Sequence, residues 1–192
     1  MAEEFMYKGG EKLAFALEEF GIDVSGLTVA DLGCNVGGFT DCLLKKGAQK
    51  VYSVDTGYGI LAWKLRTDQR VEVCERSNAM HWAPPEPVDG AVIDVGWTRQ
   101  DKIIPSAFSM VKPPGFIVSL FKPQYEAESV QVIRGIVPES EVEAVLQRAL
   151  TGLSEDGFRA ERYVRSPLKG GSKRKGNTEY FMLFNVPDGD GR

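Results

Sequence analysis

Four charged side chains, far apart in the sequence, form a set that could remove a proton from an alcohol. They are two lysines and two acids, Lys12, Asp94, Lys122 and Glu179. A free lysine has a pKa of about 10.4, but desolvation or a second nearby cation lowers that value. We predict that Lys12 supplies the second cation, while Asp94 and Glu179 hold the two ammonium groups. Such a neutral cluster can act as a general base.

The alternative for Lys122 is a purely structural ion pair with Asp94. Lys122 follows the continuously apolar run 115–121, and Asp94 ends the apolar run 88–94. Lysine is rarely buried without a partner, so a lysine at a buried strand end requires an acid in either interpretation. The residue types alone leave this choice open.

A glycine-rich turn indicates a pocket for a nucleotide-like ligand. Residues 29–41 contain a short apolar strand, Asp31 near its end, and glycines at Gly33, Gly37 and Gly38. We expect the glycines to let the backbone approach a ligand, and a helix beginning near Gly38 to point free N–H groups at the turn. An acid inside the motif argues against the pyrophosphate of NAD. It suits a cofactor with a cationic end, such as S-adenosylmethionine.

Two further side chains follow neighbouring strands at places where cofactors usually bind. Asp55 ends the second strand, the usual position of a ribose-hydroxyl acceptor. Asn78 follows the third strand, where a loop can reach an adenine edge. Because ligands of such sheets lie beyond the carboxyl ends of the strands, we expect both residues at the same site as Asp31, Asp94 and Lys122.

Alternating strands and helices must position these residues. Helices are predicted over 7–20, 38–47, 60–67, 101–111 and 139–153. Strands are predicted over 28–32, 50–55, 70–74, 88–94, 115–121, 157–164 and 177–186. This order predicts an α/β fold with a mostly parallel seven-stranded sheet, closed by a hairpin that adds one antiparallel strand at the edge.

Composition excludes several classes of protein. The 192 residues suffice for one domain, and the net charge of −4 argues against indiscriminate coating of nucleic acid. No apolar run is long enough for a membrane span, no signal peptide is visible, and three cysteines indicate a reduced, cytoplasmic setting. A single histidine and the cysteine spacing predict no metal site. The basic, glycine-rich loop 166–176 is either a solvated loop or a phosphate-binding patch.

Six stretches together resemble the TlyA (hemolysin A-like) ribosomal RNA methyltransferases, members of the FtsJ-like 2′-O-methyltransferase family. The resemblance spans nearly the whole chain in the right order, which makes it more specific than any single motif. The stretches are G-G-E-K-L at 9–13, D-L-G followed by G-G-F-T-D-C-L-L within 31–44, K-V-Y-S-V-D-T-G-Y-G-I-L-A-W-K-L-R at 50–66, I-D-V at 93–95, K-P-Q-Y-E at 122–126 and G-N-T-E-Y-F at 176–181.

The resemblance implies a Rossmann-like S-adenosylmethionine-dependent methyltransferase fold over residues 1–186, with 187–192 as a disordered tail. It implies that Lys12, Asp94, Lys122 and Glu179 are the family's catalytic tetrad, in which Lys122 assists deprotonation of a ribose 2′-hydroxyl. Ribosomal RNA or a ribosomal subunit is then the expected partner. The expected cofactor-binding residues are Asp31, Gly33, Cys34, Gly37, Gly38, Phe39, Asp55, Asn78 and Asp94.

The chain departs from the family pattern in four places. It begins after the point where an N-terminal S4 RNA-binding domain would end, so we expect a partner or a longer natural chain to supply RNA docking. Cys34-Asn35-Val36 replaces small and hydroxyl residues of the first loop. Gly96-Trp97-Thr98-Arg99 replaces a more apolar stretch, and the loop before Glu179 is longer and more basic than usual.

Two other functions remain open at this level. The acidic net charge would also suit a methyltransferase for a small hydroxylated metabolite. A cofactor-binding protein without catalysis, acting on ribosome assembly, is the third alternative. The sequence does not specify an oligomeric state.

Overall fold

The computed structural model describes residues 5–170 and 176–188. Within them, the strands are β1 (Thr28–Leu32), β2 (Lys50–Asp55), β3 (Val71–Glu75), β4 (Val88–Ile93), β5 (Val111–Phe121), β6 (Arg162–Arg165) and β7 (Tyr180–Val186). The α-helices are α1 (Lys8–Phe20), α2 (Gly38–Lys45), α3 (Trp63–Arg66), α4 (Gln100–Met110), α5 (Pro123–Glu126) and α6 (Glu139–Glu155). A short 3₁₀ helix covers Ser129–Gln131.

The seven strands form one sheet in the order β3-β2-β1-β4-β5-β7-β6. Strands β1 to β5 pair in parallel, whereas β7 is antiparallel to both β5 and β6. The predicted sheet of seven strands with one antiparallel member is therefore confirmed. Its predicted place at the edge is wrong, because β7 inserts between β5 and β6 and leaves β6 at the edge.

Helices cover both faces of the sheet, which explains why its central strands are apolar along their whole length. Alternate strand residues join opposite cores, since side chains of a strand point to opposite faces. Val29 packs with the buried face of α1 and α2, whereas Ala30 packs with α4 and α6. Val92 and Ile93 divide between the two cores in the same way.

Helices α1 and α2 approach closely through glycines. A Cβ atom on Gly38 would lie 3.0 Å from the Cα atom of Gly9, so the backbone of α1 would have to move by a few tenths of an ångström to admit a side chain there. On the other side of the same turn, Gly37 has φ +101°, and its Cβ would lie 2.2 Å from a methyl group of Leu65. The turn before α2 is thus fixed between α1 and α3.

Most predicted element positions are confirmed with small shifts at their ends. The largest shift concerns the sixth strand, predicted over 157–164, because residues 157–161 precede β6 and do not pair as a strand. The basic loop predicted over 166–176 lies partly outside the described residues, at 171–175, and so does most of the predicted tail, at 189–192. Among the described helices, none combines the length and apolarity that a membrane span requires.

Candidate active site

The predicted chemistry-bearing residues meet at the carboxyl edge of the sheet. Asp94 and Lys122 directly follow β4 and β5, and Asp55 ends β2. Since β7 is antiparallel, its beginning lies at this same edge. Phe121 pairs with Tyr180, so Lys122 and Glu179 lie just beyond the last paired residues of neighbouring strands.

The predicted tetrad forms two ion pairs. The Nζ atom of Lys122 lies 2.5 Å from Oδ1 of Asp94, and Nζ of Lys12 lies 2.5 Å from Oε2 of Glu179. The two lysine side chains are only 16% and 12% exposed. Helix α1 therefore brings Lys12 to a cluster whose other members come from three strand ends, and two cations balance two acids.

Glu179 is the most deeply buried member of the tetrad, at 2% exposure. Burial raises the pKa of its carboxyl group, while the charges of Lys12 and Lys122 lower that pKa and the charge of Asp94 raises it. The other three tetrad side chains are thus all within electrostatic reach of Glu179. Gly170 packs against this carboxylate so closely that an added Cβ would lie 2.0 Å from Oε1.

A first cavity of about 360 Å³ opens beside the Lys122–Asp94 pair. Four of the predicted cofactor residues line it, namely Gly33, Asp55, Asn78 and Asp94. Gly33 has φ +90°, and a Cβ atom there would lie 2.7 Å from the carbonyl oxygen of Asp94. The predicted need for glycine is confirmed at this position, because no larger residue fits between the loop and Asp94.

Backbone donors hold Asp55 in place at this cavity. Its Oδ2 accepts the N–H of Asn35 at 2.9 Å, and its Oδ1 accepts the N–H of Gly57 at 2.8 Å. A carboxylate oxygen has a second lone pair, so both oxygens can also accept a ligand hydroxyl. Asn35 has φ +48°, a left-handed conformation that asparagine adopts more readily than most residues.

The other predicted cofactor residues do not line the first cavity. Gly37 and Gly38 make room for Leu65 and for α1, as described above. Phe39 is buried against Phe181, with ring centroids 6.2 Å apart. Cys34 is buried, and burial raises the pKa of its thiol, so it is no nucleophile at neutral pH. These residues support the loop that the cavity-lining residues occupy.

Asp31 lies in β1, two residues before the cavity-lining Gly33, and is completely buried. Its Oδ2 accepts the hydroxyl of Thr40 at 2.6 Å, and its Oδ1 has no hydrogen-bond partner among the described residues. Burial raises the pKa of Asp31 to about 7, with smaller contributions from the charges of Asp94 and Asp55. Because this raised pKa keeps Asp31 largely protonated below pH 7, and Asp94 is paired with Lys122, the negative charge that favours a cationic ligand here comes chiefly from Asp55.

Sequence reasoning missed several residues at the first cavity, among them Asn35, Ile60, Ser77, Met80, Trp97 and Thr98. Trp97 is 89% exposed, has φ +61° and packs on the ring of Tyr125, with ring centroids 5.3 Å apart. The sequence signal for Trp97 is an aromatic residue in a polar stretch just after the end of a strand. From the sequence, this stretch is interpreted only as a departure from the family pattern and not as part of a binding site.

A second cavity, of about 330 Å³, adjoins the other side of Lys122. Its lining includes Glu179, Asn177, Gln124 and Arg134. Lys122 lines both cavities, and Asp94 lines the first. One lysine is therefore common to the linings of both cavities, so a group bound in either can reach it.

Comparison with known proteins assigns the chain to a family. The model for the FtsJ-like methyltransferases matches residues 5–186. The chain belongs to the FtsJ-like methyltransferase family. It is 39% identical over 185 residues to the 16S/23S rRNA (cytidine-2′-O)-methyltransferase TlyA of Mycobacterium tuberculosis, covering 93% of this chain and 68% of that protein. The predicted resemblance to TlyA-like proteins is thereby confirmed.

Solved structures agree with the family assignment. A Streptococcus thermophilus protein named as a hemolysin matches the FtsJ-like chain with a TM-score of 0.89 and 35% identity, covering 98% of this chain and 70% of that one. An S-adenosylmethionine-dependent methyltransferase from Mesorhizobium loti gives a TM-score of 0.62 at 16% identity, covering 88% of this chain and 95% of that one. The second likeness concerns the fold alone and agrees with the predicted fold class.

Proposed function

We propose that this protein transfers a methyl group from S-adenosylmethionine to a ribose 2′-hydroxyl of ribosomal RNA. The observation that carries the proposal is the position of Lys122, which lines both cavities and pairs with Asp94. Membership of the FtsJ-like family and the 39% identity to an rRNA (cytidine-2′-O)-methyltransferase support the reaction and the substrate. An rRNA substrate also implies that the enzyme works in the cytoplasm. We further propose that residues 1–186 form its methyltransferase domain.

The first cavity has the chemistry that the cofactor requires. Asp55 and Asp94 line it, and the negative charge of Asp55 suits a sulfonium or an ammonium group. We assign Asp55 to the ribose hydroxyls and Asn78 to the adenine edge. Gly33 keeps the loop close to Asp94. When bound, S-adenosylmethionine supplies an electrophilic methyl group.

In the proposed mechanism, the acceptor ribose enters from the second cavity and places its hydroxyl at Lys122. We assign Lys122 to removal of the hydroxyl proton and Asp94 to holding the amino group of Lys122 in position. The ribose oxygen would form a bond to the methyl carbon as the carbon–sulfur bond breaks, and S-adenosylhomocysteine would leave. Lys12, held in place by Glu179, adds a further positive charge at the same edge of the sheet. The remaining acceleration comes from the fixed orientation of the two reactants.

Incubation with radiolabelled S-adenosylmethionine tests the proposal, with ribosomal subunits, bare rRNA and small hydroxylated compounds offered as separate acceptors. We expect label in rRNA, located on a ribose 2′-oxygen by its resistance to alkaline hydrolysis. Transfer to RNA should weaken as salt increases, because phosphate contacts are screened. Salt-insensitive transfer to a small compound, with none to RNA, would instead favour a metabolite methyltransferase. Cofactor binding without any transfer would favour a non-catalytic protein.

A further inference from the structure

A tight turn, Ile133–Ile136, forms one wall of the second cavity. The N–H of Ile133 donates to the carbonyl oxygen of Ile136 at 2.8 Å, and the N–H of Ile136 donates back at 3.0 Å. Its two central residues, Arg134 and Gly135, have φ of +51° and +79°. Two successive left-handed residues are typical of a type I′ turn, so arginine occupies a conformation that it rarely adopts. We name this segment the Arg134 turn.

Asn177 fixes the Arg134 turn to the catalytic edge of the sheet. Its Oδ1 accepts the N–H of Val137 at 2.9 Å, and its Nδ2 donates to the carbonyl oxygen of Gly135 at 2.9 Å. The Asn177 side chain is buried, and Glu179 of the tetrad follows two positions later. The same short segment therefore positions the turn and a tetrad carboxylate, which sets Arg134 in a defined place relative to Lys122.

The positive charge of Arg134 is available to a ligand. Arg66, Arg70, Arg148 and Arg165 all form ion pairs with carboxylates. Across residues 5–170 and 176–188, no carboxylate lies within ion-pair distance of Arg134. Arg134 is exposed, and the backbone of its turn is already held by hydrogen bonds. Binding through Arg134 therefore orders only its side chain, which lowers the entropic cost of contacting a ligand.

We propose that Arg134 binds a phosphate of the RNA strand that carries the acceptor ribose. The inference rests on the proposed function, because it takes the second cavity as the entry of that ribose. A ribose in RNA is joined to phosphates on both sides, so a cation lining the same cavity as Lys122 is suited to one of them. The planar guanidinium group matches two phosphate oxygens at once, whereas a lysine ammonium acts as a point charge.

The test compares Arg134→Gln and Arg134→Lys with a matched control, Arg159→Gln. Arg159 is exposed and also lacks a carboxylate within ion-pair distance among the described residues, but it lies before β6, at the opposite edge of the sheet. Each variant is assayed for KM and kcat on rRNA at several salt concentrations and for cofactor Kd by calorimetry. Thermal unfolding verifies that each variant folds.

We expect Arg134→Gln to raise the KM for rRNA about tenfold, the size of effect expected when one charge-assisted contact is lost. It should also reduce the slope of log affinity against log salt by about 0.7, the value for one phosphate of a single strand. Arg134→Lys should recover part of the affinity, and cofactor Kd should not change.

Four results would overturn the inference. Equal effects of Arg134→Gln and Arg159→Gln would mean that the position of Arg134 is unimportant. A raised KM with an unchanged salt slope would mean that the arginine contacts a base and not a phosphate. If wild-type protein methylated no RNA at all, the proposed function would be rejected together with the inference, whereas active wild type with an unaffected Arg134→Gln variant would reject the inference alone.

Discussion

The buried carboxyl group of Asp31 predicts an unusual dependence of stability on pH. Its pKa in the folded protein is about 7, against an ordinary value of 3.8, because burial disfavours the charged form. The unfolded chain therefore releases this proton from about pH 4 upward, whereas the folded protein retains it until about pH 7. Between these values the folded state binds more protons, so the free energy of unfolding decreases as the pH rises.

The magnitude follows from the pKa difference. One pKa unit corresponds to about 1.36 kcal/mol, so the roughly two units from pH 5 to pH 7 cost the cofactor-free protein about 2 to 3 kcal/mol. Above pH 7 both states are ionised at this residue, and the contribution becomes constant. Asp31→Asn resembles the protonated carboxyl group and carries no charge, so its stability should lack this decrease.

Urea unfolding of the cofactor-free wild type and of Asp31→Asn at pH 5 and pH 8 measures the effect. The stability of the variant relative to wild type should increase by about 2 to 3 kcal/mol between the two pH values. The exposed Asp156→Asn is the control, and it should show no such change relative to wild type. Identical pH dependence of Asp31→Asn and wild type would refute the reasoning, since the Asp31 proton would then not be retained in the folded state.

Three other predictions concern the site and its support. Lys122→Ala should abolish methyl transfer with little change in cofactor Kd, and activity equal to wild type would reject the tetrad assignment. Asp55→Ala should weaken cofactor binding at least tenfold in calorimetry, by loss of charge-assisted hydrogen bonds, and an unaltered Kd would exclude its ribose role. Gly38→Ala should destabilise the fold by about 1 to 3 kcal/mol, because a methyl group would crowd the backbone of α1 and force the two helices apart. The control Gly152→Ala in α6, which meets no atom within 4 Å, should stabilise by up to about 1 kcal/mol; equal effects in urea unfolding would contradict the helix-contact argument.

The sequence was sufficient for features that depend on local pattern. The strand, glycine turn and helix over 29–45 were predicted correctly, because an apolar run, glycines and helical periodicity all act within a few residues. The meeting of Asp94 and Lys122 was also predictable, because each directly follows a parallel strand and the carboxyl ends of parallel strands lie at the same edge of a sheet.

Features that depend on distant contacts were not predictable in the same way. The hairpin formed by β6 and β7 could pair with β5 through either strand. In the structure β7 pairs with β5, and this pairing buries Phe181 and Phe184. The glycine at 38 was interpreted as making room for a ligand, but it makes room for Gly9 of another helix. The Arg134 turn carries no repeating pattern at all, so its relation to the tetrad is visible only in three dimensions.

The central position of β7 has a consequence for synthesis of the protein. Among the described residues β7 is the last strand, yet it is the partner of β6 and pairs with β5 along seven residue positions. Until these residues leave the ribosome, β5 has an unpaired edge and Glu179 is missing from the tetrad. The nascent chain is therefore expected to be inactive until Tyr180–Val186 have been synthesised, and a stop codon before Tyr180 would remove β7 together with the pairing that positions Glu179.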